Sequence, residues 1–195
     1  TGRIEITLTS AAGSTVFTDM GSYAWAGPSV DYLYSQGVVS GVGSSQFGPG
    51  QAILRGDFVL MLCRAFDFEG SSTASGFYDV PAGSYYAQAI TTARSLGIVT
   101  GDGAGRFRPT AALTRQDAMV MLQRAMNAAG ISAGGSESDL TAFSDAAQVS
   151  AYARSAVAAL VRLGVVQGDE AGRLNPGSNI TRAEMAVILH RVLTL

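Results

Sequence analysis

The chain has 195 residues, 47% of them hydrophobic and 14% charged, with a net charge of −2. That composition buries a core and differs from that of a disordered segment, and the charge balance excludes a basic face for nucleic acid. No run approaches the roughly 18 to 20 apolar residues needed to cross a bilayer, so membrane insertion is excluded as well. The single cysteine, Cys63, and the single histidine, His190, make neither an internal disulfide nor a multi-histidine site, so no metal and no cofactor are expected. Every one of the 13 basic residues is arginine, a planar fork of donors.

In chain order, residues 1–16 come first. Ile4, Ile6 and Leu8 alternate with Glu5, Thr7 and Thr9, the period of a half-buried strand, before a linker over Ala11 to Thr15. This short β-like tail reads either as the end of an upstream β-domain or as a strand that pairs within the module. The chain opens on Thr1 and shows no signal peptide, so it is expected to be a piece of a longer or processed protein.

From Phe17 onward the sequence repeats itself. Phe17, Asp19, Gly37, Val39, Gly41, Phe47, Pro49, Arg55, Asp57, Leu62 and Arg64 recur sixty positions later as Phe77, Asp79, Gly97, Val99, Gly101, Phe107, Pro109, Arg115, Asp117, Leu122 and Arg124. With one extra residue, a third copy follows: Phe143, Asp145, Gly164, Val166, Gly168, Leu174, Pro176, Arg182, Glu184, Leu189 and Arg191. The units are residues 17–70, 71–130 and 131–195, joined by the Gly- and Ser-rich stretches Gly70 to Gly76 and Gly130 to Leu140.

Each copy predicts a helix-loop-helix. In the second, Ala87, Ile90, Ala93 and Leu96 lie at roughly helical spacing and Gly97 is a left-handed stop; Gly37 and Gly164 close the equivalent helices. Beyond the loop, Thr114 with Asp117 and Thr181 with Glu184 fit the reciprocal capping box, whereas the first copy has Leu54 and lacks the cap. A unit this small cannot hide its apolar faces alone, so the three are expected to pack around a common axis as one all-α domain.

The chemistry gathers at the second helix start. Arg55, Arg115 and Arg182 each occupy a first turn, where a cation faces the positive end of the macrodipole at a cost of about 0.3 to 1 kcal/mol. Compensation comes from a carboxylate, either Asp57, Asp117 or Glu184 nearby or Asp19, Asp79 or Asp145 at the repeat starts, or from a bound anion held by the guanidinium and the helix-start N–H groups. Thr114, Thr181 and the acids are also fully explained as caps. Trp25, Tyr85 and Tyr152 read as core residues or as platforms for a sugar face. Gly37, Gly97 and Gly164 are backbone requirements that also permit close approach of a ligand.

Two motifs invite a different reading. Arg55-Gly56-Asp57 spells an adhesion tripeptide but fills a helix start, and the loops Asp102 to Gly105 and Asp169 to Gly172 lack the ligand spacing of a calcium loop.

Phe17-Thr18-Asp19, Gly37-Val38-Val39-Ser40-Gly41, Phe47-Gly48-Pro49 and Leu54-Arg55-Gly56-Asp57, with their counterparts ending in Thr114-Arg115-Gln116-Asp117 and Thr181-Arg182-Ala183-Glu184, resemble the S-layer homology family. Only the third copy keeps the family's T-R-A-E unchanged. The resemblance implies a three-lobed spindle with pseudo-threefold symmetry around a central helical bundle. It also implies an extracellular place at the bacterial cell wall or S-layer and grooves between repeats that hold anionic secondary cell-wall polysaccharide, often bearing a pyruvate ketal. The T-R-A-E arginine is the family's key residue, which lands on Arg55, Arg115 and Arg182, and the unbroken third motif ranks Arg182 first. Equivalent acids in every copy argue against one asymmetric glycosidase site. A structural or protein-interaction module with reduced wall binding is the remaining alternative.

Overall fold

The structure, a computed structural model, describes Ser14 and residues 16–195. Among these residues six α-helices form where the repeats predict them, two per copy. They are α1 (Gly27–Ser35), α2 (Arg55–Ala65), α3 (Ala87–Ser95), α4 (Arg115–Ala128), α5 (Arg154–Arg162) and α6 (Arg182–Leu193). The alternation over Ile4 to Thr9 lies outside the described residues. Short 3-10 turns over Gly21–Ala26, Glu137–Leu140 and Ala146–Gln148 complete the helical elements described.

The first helix of each copy ends as its glycine requires. Gly37, Gly97 and Gly164 adopt φ of +70°, +72° and +72°. The next amides, of Val38, Ile98 and Val165, reach back to Leu33, Ala93 and Leu160 at 2.9, 2.8 and 3.0 Å. This is the Schellman closure, open without strain to a residue that has no Cβ. The chain then runs through a loop pinned by Phe47, Phe107 or Leu174, each almost wholly buried.

The loops meet at the centre. Ile53 donates its N–H to Ile180 O, Ile180 to Leu113 O, and Leu113 back to Ile53 O, all at 3.0 Å. Isolated antiparallel bridges pair Leu54 with Ala112, Thr114 with Asn179, and Thr181 with Ala52. Each bond links one copy to the next and the last links back to the first, so the three copies close into a ring with pseudo-threefold symmetry.

Helix packing repeats the cycle. α3 packs on α2, α5 on α4, and α1 on α6. The second helices converge on the axis, where Phe58, Met119, Leu122, Met185 and Leu189 enclose a small wholly apolar space. One continuous core, which also takes in Val30, Leu33, Ile90 and Leu160 of the first helices, joins all three copies. No helix among the described residues is long and apolar enough to cross a membrane.

Candidate functional site

Each second helix begins on an arginine that leaves its own repeat. Arg55 N–H donates to Ala111 O at 3.0 Å and Gly56 N–H to Pro109 O at 2.8 Å; Arg115 and Gln116 do the same to Ser178 and Pro176, and Arg182 and Ala183 to Gln51 and Pro49. The side chains follow, with Nε of Arg55, Arg115 and Arg182 donating to the carbonyls of Phe107, Leu174 and Phe47 at 3.0, 2.8 and 2.8 Å. Arg55 and Arg182 also lie over the Phe107 and Phe47 rings, 5.0 and 4.5 Å from their centroids. A helix start normally leaves its first N–H groups without partners. Here the neighbouring repeat's loop takes the first two, which corrects the expectation that these amides serve a bound anion.

Each arginine belongs to a cluster drawn from all three copies, and at Arg55 and Arg115 the cluster lines a groove. In the first, Arg55 Nη1 stands 3.5 Å from Asp117 Oδ2 of copy two, while Tyr152 of copy three donates its hydroxyl to Asp117 Oδ1 at 2.7 Å. Thr100, Gly101, Val120, Met121 and Arg124 complete this groove of about 710 Å³. In the second, Arg115 Nη1 meets Glu184 Oε1 of copy three at 3.0 Å. Trp25 of copy one, with Gln167, Gly168, Val187, Ile188 and Arg191, borders about 630 Å³. In the third, Arg182 couples electrostatically to Asp57 of copy one, and Tyr85 of copy two donates to Asp57 Oδ1 at 2.5 Å. Arg182 Nη2 donates to Ser40 O at 2.8 Å, drawing this guanidinium toward the first copy's loop.

The T-R-A-E motif of one copy is therefore divided: Arg182 faces Asp57, while Glu184 faces Arg115. An unbroken motif in one copy does not make one complete groove, so the ranking of Arg182 first loses its basis. Burial lowers the pKa of Arg55 and Arg182, opposed by the nearby Asp117 and Asp57, and both guanidinia stay charged. The hydrogen bond to Asp57 and partial burial push the Tyr85 phenol up to about 12; burial and the bond to Asp117 push Tyr152 to about 12. At neutral pH both hydroxyls are donors.

Trp25, Tyr85 and Tyr152 are 56%, 67% and 61% exposed, which corrects their reading as core. Each sits just ahead of a first helix rather than on its buried face.

Asp19, Asp79 and Asp145 serve the loop. Their two carboxylate oxygens accept the N–H groups of Phe47 and Gly48, of Phe107 and Arg108, and of Leu174 and Asn175, at 2.7 to 2.9 Å. Burial opposes ionisation of Asp19, but the two amides outweigh it and hold its carboxyl below the usual range. Asp19 also couples electrostatically to Arg182, whereas among the described residues no ion pair joins Asp79 or Asp145 to a groove arginine.

Gly37, Gly97 and Gly164 turn the chain and border none of the described groove linings. The groove glycines are Gly101 and Gly168, the second glycine of G-x-V-x-G in copies two and three. A Cβ at Gly101 would come 2.6 Å from Phe77 Cε1, and at Gly168 2.8 Å from Phe143 Cε1.

The caps differ between copies. Thr181 and Glu184 form the full capping box, with Thr181 N–H donating to Glu184 Oε2 at 2.8 Å and Glu184 N–H to Thr181 Oγ1 at 3.2 Å. Thr114 accepts from Asp117 N–H at 3.3 Å, but the shorter Asp117 carboxylate turns to Arg55 and Tyr152 instead, so this box is half made. The Arg55-Gly56-Asp57 tripeptide is the first turn of α2, with Gly56 buried against Tyr86 and Pro109. Asp102 and Asp169 fold their own loops, binding the guanidinia of Arg106 and Arg173 at 2.9 and 3.0 Å. Among the described residues no group of three or more His, Cys, Asp or Glu could hold a metal ion. His190 stacks on Tyr32 at 4.4 Å and shares a hydrogen bond with Ser29 Oγ at 2.9 Å.

Sequence reasoning noted Arg64, Arg124 and Arg191 only as repeat markers. Arg124 and Arg191 line the first two grooves, seven residues beyond Asp117 and Glu184. The missed signal was that spacing, two turns along one helical face.

Known proteins show the same repeated pattern. The model of the S-layer homology domain matches residues 16–59, 76–119 and 142–186. An amylopullulanase of Thermoanaerobacterium thermosulfurigenes is 33% identical over 171 residues, which are 87% of this chain and 9% of that protein. The surface-layer 125 kDa protein of Lysinibacillus sphaericus is 32% identical over 191 residues, 96% of this chain and 16% of that protein. The S-layer protein EA1 of Bacillus anthracis is 24% identical over 176 residues, 90% and 20% respectively. The chain thus spans a small part of each relative, whether an S-layer protein or an enzyme. Three matched stretches, one on each copy of the ring, place the chain in the S-layer homology family, as an anchoring module of the bacterial cell surface.

Proposed function

We propose that the ring is a noncatalytic anchor that binds anionic secondary cell-wall polysaccharide in the grooves between its copies. In this reading it serves a longer exported protein whose other parts carry that protein's own activity. The supporting observation is the grooves' composition: each combines a largely buried guanidinium, a carboxylate and an exposed aromatic, from three different copies. Flat aromatic faces stack on the apolar side of a sugar ring, and a carboxylate beside a guanidinium answers hydroxyls that are both donors and acceptors. The resemblance to the family suggests a pyruvate ketal as the acidic substituent. Copies fixed in one ring present their grooves together, so weak sites on a repeating polymer add by effective concentration.

The second reading, a structural module with reduced binding, draws support from the third groove alone, where Arg182 is satisfied by Phe47 O and Ser40 O and forms no ion pair among the described residues. Co-sedimentation of the chain with purified cell wall, before and after chemical removal of the polysaccharide, tests the proposal. Binding should vanish with the polysaccharide. Retention on the stripped wall would point to another partner.

A further inference from the structure

The three helix seams of the ring share one plan and are filled differently. Where α6 packs on α1, His190 stacks on Tyr32 with ring centroids 4.4 Å apart and shares a hydrogen bond with Ser29 Oγ at 2.9 Å. The repeat puts Cys63 with Ala89 and Thr92 at the same places of the α2–α3 seam, and Gln123 with Ala156 and Ala159 at those of the α4–α5 seam. Cys63 Sγ lies 3.5 Å from Ala89 O, which fixes that register. Small buried residues fill the other two seams, so the imidazole, ring and hydroxyl are not a packing requirement of the fold. Of the three seams only this one holds a group that titrates near neutral pH, since burial pushes the Cys63 thiol up to about 11.

The imidazole has neighbours but no ion-pair partner. From α1, Tyr32 offers a ring face and Ser29 a hydroxyl, while the Asp31 carboxylate accepts the Ser14 hydroxyl. From the 3-10 turn ahead of α1, Tyr23 packs beside Trp25. On α6 itself, Arg191 donates to Val165 O and Gln167 Oε1, Glu184 pairs with Arg115, and Arg182 donates to Phe47 O and Ser40 O. His190 belongs to no ion pair among the described residues. An imidazolium here would give up water without gaining a carboxylate, and burial lowers the His190 pKa below its ordinary 6.5.

The same seam positions a groove residue. Glu184, Val187, Ile188 and Arg191 line the second groove from α6, and Trp25 lines it from the turn that leads directly into α1. That turn and α1 both pack on α6, so the seat of α1 sets where Trp25 stands. Tyr152 stands ahead of α5 in the same way, across a seam without a titrating group.

We propose that His190 is a positioning residue with a pH-dependent grip: as the neutral imidazole it seats α1 and Trp25 on α6, and as the imidazolium it loosens them, so the second groove weakens in mild acid while the first keeps its hold. The link to the groove rests on the wall-polysaccharide reading above and adds its regulation; the seam itself does not depend on it. Because the seated pKa lies below the free value, the stabilisation is complete above 6.5 and is lost as pH falls through the seated value.

Hydrogen exchange read by mass spectrometry at about pH 8 and about pH 5, corrected for the intrinsic rate, tests the seam. In the unmodified chain, residues 27–35 should lose protection severalfold in acid while residues 154–162 keep theirs. His190 is the chain's only histidine, so its imidazole titration, followed by NMR, should share its midpoint with the opening of α1. His190→Gln, which gives this seam the residue of copy two, should abolish the opening. Binding to purified cell wall, read in the Tyr152→Ala chain so that the first groove lacks its aromatic, should weaken severalfold in acid and cease to do so when His190→Gln is added. Equal loss in α1 and α5, separate midpoints, or an opening that survives His190→Gln overturns the switch. Protection of α1 that rises in acid also overturns it, because the Tyr32 face would then hold the imidazolium better than the imidazole. Opening of α1 with unchanged wall binding overturns the link to the groove. If the unmodified chain binds no wall at about pH 8, the wall reading fails, and the exchange result still decides the seam.

Discussion

Asp145 is the clearest instance of a side chain that holds the site without facing it. Its residue is 6% exposed, and its two oxygens accept the amides of Leu174 and Asn175 at 2.8 and 2.7 Å. Asp145→Ala leaves two amides beside a buried leucine with no partner. The expected cost is about 3 kcal/mol, read as a lower urea midpoint at unchanged slope, with Asp145→Asn between the two. A loss under about 1 kcal/mol would mean the loop is held by the apolar anchor alone. The loop carboxylates also set an acid limit. Desolvation opposes ionisation of Asp102, but the amides of Ala104 and Arg106 and the Arg106 side chain outweigh it and hold it at about 2. The Asn175 amide and Arg173 hold Asp169 at about 2. Because both folded values lie below the ordinary 3.8, their stabilisation is complete above that value. It is lost as pH falls toward 2. Thermal midpoints measured from pH 5 down to pH 2 should therefore drop less steeply in the Asp102→Asn, Asp169→Asn variant than in the unmodified chain.

Among the elements, the helix starts were legible because their chemistry is local. Thr181 and Glu184 make the complete box, whereas Asp117 is one methylene shorter and is drawn across the groove. Thr181→Ala should therefore cost about 1 to 2 kcal/mol and Thr114→Ala about half of that, compared by thermal unfolding. Equal losses would show that the box adds nothing to the hydroxyl. The aromatics were illegible for a reason that is also local. Trp25 belongs to the 3-10 turn ahead of α1, while Tyr85 and Tyr152 precede the first residues of α3 and α5. A helical count extended back through them assigns a buried face that the chain has not yet begun to form. The arginines were legible as repeated first-turn residues, but their partners were not, since spacing within a copy carries no record of which neighbouring copy supplies the acid.

At the scale of the whole molecule, the closed ring changes what a repeat contributes. In an open solenoid a terminal repeat touches one neighbour, and its removal leaves the remainder folded. Here copy three touches both others. Cutting the chain after Gly130 removes Ile180 from the central triangle and the carbonyls of Leu174, Pro176 and Ser178 from the start of α4. It also takes α6 from α1 and α5 from α4. The axial core loses Ile180, Met185, Ile188 and Leu189, opening Phe58 and Met119 to water. Two copies therefore lack both the hydrogen-bond partners and the third wall of the core, and neither deficit is repaired by the copies that remain. The two-copy chain should show no cooperative urea transition, whereas the three-copy chain unfolds in one. A cooperative transition in the fragment, with a slope near two thirds of the parent's, would mean that each pair of copies is a folding unit and the ring only an addition to it.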